Sequence, residues 1–252
     1  MAVVCLKAGS KGTLRILFDR QKGKDRMEYI GNKKKQGSIV ELLRDEILAG
    51  NIPDGSEMTQ NELAESLGVS RMPVREALIL LEYQGLIDRL PNNHVRVASF
   101  TEAYFHHILK TGAGLEKEFL QNLDEEELKA LPEEELNFHR AIWRNYPYSL
   151  SRKNLETITE IYLYFVISRR NPEGVWGRKA EKTEEEILLE KSIGNWKSGK
   201  KEDGARQLEE YFEKMAVTLE AMHEGKQTKK QPVSHKDLVK EGIKKYGYIK
   251  TN

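Results

Sequence analysis

The segment Asn61–Leu86, NELAESLGVSRMPVREALILLEYQGL, decides the fold of this chain. It has the pattern of two short helices joined at Gly68, which supplies the φ > 0 conformation that ends the first helix. Thr59 followed by Glu62 forms a capping-box start for that first helix. Ser70 stands where it can N-cap the second helix. The segment therefore predicts a helix-turn-helix.

The two faces of the second helix carry different chemistry. Its apolar residues recur at spacings of three and four and are expected to face inward: Val74, Ala77, Leu78 and Leu81. Arg71 and Arg75 lie one turn apart on the other side, at the N-terminal end. A helix-turn-helix presents this end of its second helix to the major groove of DNA, where arginine pairs with guanine edges. We therefore expect both arginines to contact bases, with Ser70 on phosphate.

The flanking sequence extends the motif. An apolar stripe of Ile39, Leu43 and Ile47 predicts a preceding helix. After Gly85, the stretch LIDRLPNNHVRVAS has two short apolar runs separated by a Pro-Asn-Asn turn, which is typical of a β-hairpin. Together these features predict a winged helix-turn-helix over residues 36–100.

These elements resemble the GntR family of bacterial transcription regulators. The matching motifs are Ile47-x-x-Gly50, Pro53-x-Gly55, Asn61-Glu-Leu-Ala64, Leu67-Gly-Val-Ser-Arg71, Pro73-Val-Arg-Glu-Ala77 and Leu81-x-x-x-Gly-Leu86. The resemblance implies that the chain binds double-stranded DNA. The DNA-contacting residues that it implies are Thr59, Asn61, Ser70, Arg71, Met72, Arg75, Arg89, Asn92, Asn93, His94 and Arg96. At the wing tip the family usually has Gly where this chain has Asn92, Asn93 and His94, and Asn is the commonest non-Gly residue at φ > 0.

The charge distribution is uneven along the chain. Residues 36–100 carry five arginines against ten acidic residues, which at first argues against a polyanionic partner. Apart from Arg44, however, these arginines all fall on the second helix of the motif or on the wing. Residues 1–35 and 226–252 are basic and can add nonspecific attraction to phosphate, or can simply be solvated and disordered.

Composition limits the compartment. A single cysteine, Cys5, excludes a disulfide scaffold and fits the reducing cytoplasm. No apolar run approaches the roughly 18 residues that span a membrane. The N-terminus lacks the features of a signal peptide. We expect residues 1–35 to be a poorly ordered basic extension, although Ala2–Leu6 and Thr13–Phe18 are strand-like.

After Thr101 the pattern is helical. Five amphipathic segments follow, and they predict an all-helical effector and dimerisation domain over residues 101–225. The first, from Phe105 to Phe119, is weakened by Gly112 and Gly114, the second can start at Pro132, and the third runs from Leu155 to Val166. The last two run from Leu189 to Trp196 and from Ala205 to Met222. The layout resembles the effector domain of the fatty-acid-regulator (FadR/FCD-like) subfamily of the GntR group. The anchor of this resemblance is Glu135-Leu-Asn-Phe-His139-Arg-Ala-Ile142, which is similar to the acid-x-x-Phe-His-x-x-Ile motif of that domain.

The subfamily commonly uses this motif to hold a metal that receives an organic acid. Glu135 and His139 share one helix face, as two ligands of one ion must. The family's next histidine falls on Glu186, and its last falls on Tyr211 or Phe212. One interpretation is therefore an oxygen-rich divalent metal site of Glu135, His139 and Glu186. The other is a metal-free polar pocket or buried network, in which the cation that neutralises an acid ligand is Arg169 or Arg170.

The sequence thus predicts a mainly α protein with an N-terminal winged helix-turn-helix followed by a helical domain. We expect a cytoplasmic, homodimeric DNA-binding repressor of a pseudo-palindromic operator, modulated by a small metabolite, and not an enzyme. Two alternatives stay open. One is a metal-dependent enzyme in which Glu135, His139 and Glu186 are catalytic. The other is a ligand-independent architectural DNA binder whose basic tails dominate.

Overall fold

The computed structural model describes residues 3–8, 14–19, 30–91, 94–170 and 182–227, with side chains described at 39–91, 94–170 and 182–224. In chain order the elements are β1 (Val3–Ala8), β2 (Leu14–Asp19), α1 (Ile30–Leu48), β3 (Glu57–Thr59), α2 (Gln60–Leu67), α3 (Arg71–Tyr83), β4 (Ile87–Arg89), β5 (His94–Val97), α4 (Glu102–Gln121), α5 (Glu125–Lys129), α6 (Glu135–Asn145), α7 (Ser149–Thr157), a π-helical segment (Ile158–Leu163), α8 (Tyr164–Arg170), α9 (Glu184–Lys197) and α10 (Lys201–Gln227). This mainly helical chain with a small sheet confirms the predicted fold class.

The chain divides into two compact units. Lys24–Thr101 and Glu220–Asn252 form one, which we call the winged-helix unit. Met1–Gly23 and Glu102–Leu219 form the other, which we call the helical unit. The boundary between Leu219 and Glu220 falls inside α10, so this one continuous helix contributes residues to both units.

The winged-helix unit has a three-stranded antiparallel sheet in the order β3-β5-β4. Val95 of the central strand lies opposite Met58 on one side and opposite Arg89 on the other. The fully buried side chains of this unit come from all three helices and from the sheet: Ile39, Leu43, Ile47, Leu63, Val74, Ala77, Leu78, Leu81, Leu86 and Val95. The inward face predicted for α3 is therefore confirmed.

The local signals of the helix-turn-helix are confirmed, with one exception. Thr59 and Glu62 form the complete capping box of α2. Gly68 ends that helix with φ 64°, a left-handed conformation that favours glycine. Ser70 occupies the N-cap position of α3 in an extended conformation, but its side chain makes no capping hydrogen bond. The hydroxyl of Ser70 is thus not used to cap the helix, contrary to the prediction.

The helical unit departs from the predicted helices at α5 and α6. Asp124 starts α5, a short helix that the sequence analysis did not identify, with a complete capping box. The helix expected to start at Pro132 begins at Glu135 instead. The reason is that the Glu134 carboxylate accepts hydrogen bonds from the N–H groups at the helix start and so acts as the N-cap.

The single helix predicted through Leu155 to Val166 is interrupted. Its middle is the π-helical segment, in which the backbone makes a wider turn than in an α-helix. Ile158 from this segment packs against α4 at Gly112, where an added Cβ would lie 3.0 Å from Ile158 Cγ2 and 3.1 Å from Phe212 Cε1. Gly112, which looked like a weak point in the sequence, is therefore the residue that allows this close approach.

The N-terminal strands pair with each other. β1 and β2 are antiparallel, from Val3 opposite Asp19 to Ala8 opposite Leu14. The two strands fall on the runs Ala2–Leu6 and Thr13–Phe18, which have a strand-like sequence. The pairing has a local cause, because two aliphatic runs rich in β-formers flank the Gly-bearing sequence between them. In the ranges that the structure describes, none of the helices has the length and apolar character needed to cross a bilayer.

Candidate functional site

The exposed N-terminal end of α3 is the first candidate site. Arg71 and Arg75 are both exposed there, and Met72 between them is 60% exposed. The same helix buries its other face in the core of the winged-helix unit. Most of the apolar side chain of Met72 stays in contact with water. Packing within this unit therefore does not explain why a methionine occupies this position. This end of α3 is available to a partner.

The other predicted DNA contacts of α2 and the wing tip occupy different environments. Asn61 is exposed in the first turn of α2. Thr59 uses its hydroxyl in the capping box, where it accepts from the Glu62 N–H at 3.1 Å. His94 is half-buried and lies opposite Thr59 in the sheet register. Asn92 and Asn93 lie outside the described residues.

The two arginines of the wing are held by glutamates of the same unit. Arg89 donates to the Glu82 carboxylate at 3.0 Å. Arg96 donates to Glu57 through both Nε, at 3.2 Å, and a terminal nitrogen, at 2.7 Å. All four side chains are partly exposed, so these pairs stabilise the fold by at most about 1 kcal/mol. The two glutamates neutralise the wing arginines unless another anion binds these arginines more tightly.

A second candidate site lies inside the helical unit, around His139. The side chain of His139 on α6 is fully buried. Its Nδ1 lies 2.8 and 2.9 Å from the two carboxylate oxygens of Glu116 on α4, which is also fully buried. Its Nε2 lies 3.1 Å from the hydroxyl of Tyr211 on α10. The imidazole is therefore held from both sides by other helices.

The chain of contacts continues to a buried arginine. The Tyr211 hydroxyl donates to Glu135 at 2.8 Å. Arg170, at the end of α8, donates to both oxygens of Glu135, at 3.0 and 3.3 Å. We call Glu116, His139, Tyr211, Glu135 and Arg170 the buried ion network. It joins four helices of the helical unit through charged or hydrogen-bonded side chains.

The hydrogen-bond directions fix the protons of this network. Because Tyr211 donates its only hydroxyl proton to Glu135, its oxygen accepts from His139 Nε2–H. The carboxylate of Glu116 can only accept, so both contacts of the ring are hydrogen bonds when both ring nitrogens carry protons. Burial raises the pKa of the Tyr211 phenol well above its ordinary value, and the negative charge of Glu135 raises it further. Two carboxylates, one guanidinium and one imidazolium then balance in charge.

This geometry does not fit a divalent metal. Both ring nitrogens of His139 and both carboxylate oxygens of Glu135 already have protein partners. Glu186 closes the capping box of α9, where its carboxylate accepts the N–H of Thr183 at 2.8 Å. Among the described side chains, Glu135, His139 and Glu186 do not bring three ligand atoms within reach of one ion. The cation that neutralises Glu135 is Arg170.

Arg169, which the sequence analysis placed in the pocket, lies elsewhere. Its guanidinium stacks over the ring of Phe165, with Cζ 3.7 Å from the ring centroid, and donates to the Phe165 carbonyl at 3.3 Å. The neighbouring Arg170 contacts Glu135 instead. Glu116 was not identified from the sequence at all. The only signal in the sequence was the helical period, which places this acidic residue on the inward face of α4.

A small cleft of about 140 Å³ opens beside Glu135 in the helical unit. Its lining residues are mostly acidic: Glu133, Glu134, Glu135, Lys182, Glu186, Leu189 and Glu190. Glu135 and Glu186, which the sequence analysis brought together, both reach this cleft. An organic acid entering it would meet five carboxylates and one ammonium group, so the electrostatics of the cleft oppose an anionic ligand.

Comparison with known proteins identifies the winged-helix segment. Residues 35–97 match the model of the bacterial regulatory proteins of the gntR family. A helix-turn-helix transcriptional regulator of an unstable DNA locus in Streptomyces ambofaciens is 49% identical over 65 residues, which cover 26% of this chain and 28% of that protein. The regulator YdhC of Bacillus subtilis is 34% identical over 104 residues, which cover 40% of this chain and 46% of that protein. The chain thus spans less than half the length of these two relatives.

The fold of the longer chain also has a counterpart among solved structures. The structure of Lar, which controls expression of the agr system of Listeria monocytogenes, superposes with a TM-score of 0.51 at 16% identity. The match covers 77% of this chain and 98% of that one, so the likeness of fold extends beyond the winged-helix segment. The described geometry and the family match agree, and residues 35–97 form a winged helix-turn-helix DNA-binding domain of the gntR type.

Proposed function

We propose that this chain is a sequence-specific transcription regulator that binds a pseudo-palindromic operator as a homodimer. The observation that carries the proposal is the exposed start of α3, where Arg71, Met72 and Arg75 face away from the core of a gntR-type domain. One recognition helix covers only a few base pairs, and two-fold pairing doubles the site. Such a regulator acts on the chromosome in the cytoplasm and needs no enzymatic activity.

The test is selection of binding sites by the full chain. Duplexes with a randomised central region are enriched over several rounds, and the product is footprinted. We expect an enriched inverted repeat whose half-sites are separated by about one helical turn, roughly 10 base pairs, or a multiple of it. Binding without any sequence enrichment would overturn the proposal and would favour an architectural DNA binder.

The helical unit supplies the proposed regulation. We propose that it is an effector domain of the FadR/FCD-like type, and that a small metabolite bound there weakens operator binding, so that the protein acts as a repressor. The motif from Glu135 to His139 places both side chains in the buried ion network, and the acidic cleft reaches Glu135 from outside. A ligand that competes for Glu135 would release Arg170 and so disturb α6 and α8 together.

The charge of the cleft narrows the class of ligand. Five glutamates line it with one lysine, and that lysine, Lys182, pairs with Glu190. We therefore propose a cationic or neutral metabolite rather than the organic acid that the sequence suggested. Binding of the full chain to the selected operator should weaken when amine-containing metabolite pools are added. A response confined to carboxylic acids would contradict this assignment.

Metal is not expected to bind at Glu135, His139 and Glu186. An ion that bound there only in the folded protein would raise the melting temperature in proportion to the logarithm of the ion concentration. We expect any change of melting temperature with zinc or manganese to be the same in the wild type and in Glu186→Gln. Stabilisation by an ion that disappears in Glu186→Gln would show that the site exists after all.

The wing arginines give a further prediction. Glu57→Gln removes the partner of Arg96 and leaves the arginine available to phosphate. We expect tighter binding to nonspecific duplex DNA and a salt dependence steeper by about 0.9 per freed arginine, since each phosphate contact releases counterions. Fluorescence anisotropy against salt concentration measures both quantities.

The control for this experiment is Glu41→Gln. Glu41 is exposed on α1, and its substitution changes the net charge by the same amount. Glu82→Gln, which frees Arg89 in the same way, should behave like Glu57→Gln. If Glu41→Gln steepens the salt dependence as much as the other two, the effect belongs to overall charge and not to the wing.

A further inference from the structure

The last turns of α10 belong to the winged-helix unit and place a buried histidine there. Residues from Glu220 onward group with Lys24–Thr101. His223 is 1% exposed although it lies near the end of a long polar helix. Its ring contacts the edge of Phe100, with ring centroids 5.5 Å apart. A histidine buried this fully needs partners for both of its nitrogens.

Both nitrogens of His223 face acceptors. Nδ1 lies 3.1 Å from the carbonyl oxygen of Leu48, at the end of α1. Nε2 lies 3.1 Å from Oδ1 of Asp54. A backbone carbonyl and a carboxylate can only accept, so both contacts are hydrogen bonds only when both ring nitrogens carry protons. A neutral imidazole would leave one of its nitrogens facing an acceptor lone pair.

Asp54 connects the histidine to a second part of the unit. Its other oxygen, Oδ2, accepts the backbone N–H of Phe100 at 2.7 Å. His223 and Asp54 therefore join the end of α1, the loop that follows it and the segment leading to Thr101. We call these two side chains the His223 clamp. Through these hydrogen bonds the clamp holds the last turns of α10 within the winged-helix unit.

The charges around the ring, like the hydrogen-bond geometry, favour the doubly protonated form of His223. Burial alone would lower the pKa of His223, but the hydrogen bonds to Asp54 and to the Leu48 carbonyl, with the negative charges of Asp54 and Glu224, raise that pKa above its ordinary value. The stabilisation by the clamp is then fully present below the ordinary histidine pKa of about 6.5 and is lost as the pH rises through the raised value.

We propose that His223 is a positioning residue. As an imidazolium it fastens the end of α10 to the rest of the winged-helix unit, and loss of its second proton loosens this attachment.

The primary experiment is nitrogen-15 NMR of the histidine rings in the full chain. His223→Gln assigns the signal. At the ordinary histidine pKa of about 6.5 we expect both ring nitrogens of His223 to be protonated. On raising the pH, His223 should lose its second proton later than an ordinary exposed histidine. A neutral His223 at that pH, or titration at or below the ordinary value, would overturn the proposal.

Asp54→Asn is the matched control, because it changes the charge and keeps the shape. The amide oxygen of the new side chain can accept from Phe100 N–H, and its NH₂ group can donate to an unprotonated Nε2 of His223. All three hydrogen bonds then survive with a neutral imidazole. We expect the Nδ1–H tautomer and a titration shifted below that of the wild type. An unchanged titration in this variant would show that Asp54 does not hold the second proton.

Amide hydrogen exchange gives the structural consequence. Protection of the amides at residues 220–224 should fall as the pH rises through the wild-type titration, and should stay constant over that same pH range in Asp54→Asn. In His223→Gln it should not depend on pH, and below that titration it should be lower than in the wild type by about tenfold for the loss of a buried charge-assisted hydrogen bond. Protection that does not depend on pH in the wild type would contradict the proton-dependent attachment. Neither measurement uses DNA, so a failure of operator selection would leave this result standing, and the reverse also holds.

Discussion

Arg71→Ala and Arg75→Ala are each expected to remove the sequence preference of the protein and to leave its fold intact. A bidentate contact between arginine and guanine is worth about 1–3 kcal/mol of base discrimination, or roughly 5- to 150-fold in affinity per half-site. Both side chains are exposed on α3, so neither substitution opens a cavity. Anisotropy with the selected operator and with a scrambled duplex measures the loss.

Two controls separate base contacts from charge. Arg75→Lys keeps the positive charge and loses the planar fork that pairs with guanine, so it should retain nonspecific affinity and lose preference. Arg152→Ala removes an exposed cation from α7, in the helical unit, and should change neither quantity. If both Arg71→Ala and Arg75→Ala keep the wild-type preference, α3 is not the recognition helix.

The helix-turn-helix could be predicted because its signals are local. The capping box joins Thr59 to Glu62, three residues on, and Gly68 alone supplies the turn conformation. The inward face of α3 follows from a helical period that nothing interrupts. Each rule acts within one or two turns of chain, so no knowledge of the tertiary structure is needed to apply it. Ser70 shows the limit of such local rules. The sequence identifies it as the N-cap residue of α3, but does not determine whether its hydroxyl makes the capping hydrogen bond.

The buried ion network could be predicted only in part, because its contacts are distant in sequence. The motif singled out Glu135 and His139, but Glu116 lies 23 residues before its partner. In the sequence Leu-Glu116-Lys-Glu118 the charged neighbours suggest a solvated face, although the helical period places Glu116 inward. Its burial depends on how α6 packs against α4, which no local rule states. Because a buried imidazole needs a hydrogen-bond partner, a buried carboxylate beside His139 is expected once the fold is known.

The choice between two adjacent arginines failed for a similar reason. Consecutive residues of an α-helix point about 100° apart, so the face occupied by Arg170 is not that of Arg169. The π-helical segment just before α8 widens the turn and shifts the rotational position of every residue after it. A uniform helical period carried through Ile158–Leu163 therefore cannot select the inward arginine. His223 had no local signal either, because its acceptors at Leu48 and Asp54 lie far away in the chain.

Glu116→Gln is expected to destabilise the helical unit strongly. Removing one partner of a buried ion pair leaves the other charge without compensation, and typically costs about 3–5 kcal/mol. Glu116 and His139 are both fully buried, so solvent does not screen the loss. In a chain of this size we expect the melting temperature to fall by roughly 10 °C. Thermal unfolding followed by circular dichroism measures this shift.

The matched control is Glu209→Gln, which removes the same charge from the exposed pair with Lys117. Surface pairs contribute about 0–1 kcal/mol, so this variant should melt within a few degrees of the wild type. If the two variants melt together, Glu116 is not paired with a charged imidazole, and the protonation of the network is wrong.

A double-mutant cycle on Glu116 and His139 distinguishes charge pairing from packing. If the two side chains stabilise the unit mainly through each other, His139→Gln added to Glu116→Gln costs little more than either change alone, and the coupling free energy approaches the cost of a single substitution, about 3 kcal/mol. Two groups that merely fill space would give additive losses, because each would leave its own defect. Coupling also bears on the proposed ligand response, because side chains that depend on one another can carry a change at Glu135 through Tyr211 to the imidazole and on to Glu116. Additive losses would mean that such a change stops at His139 and does not reach Glu116 on α4.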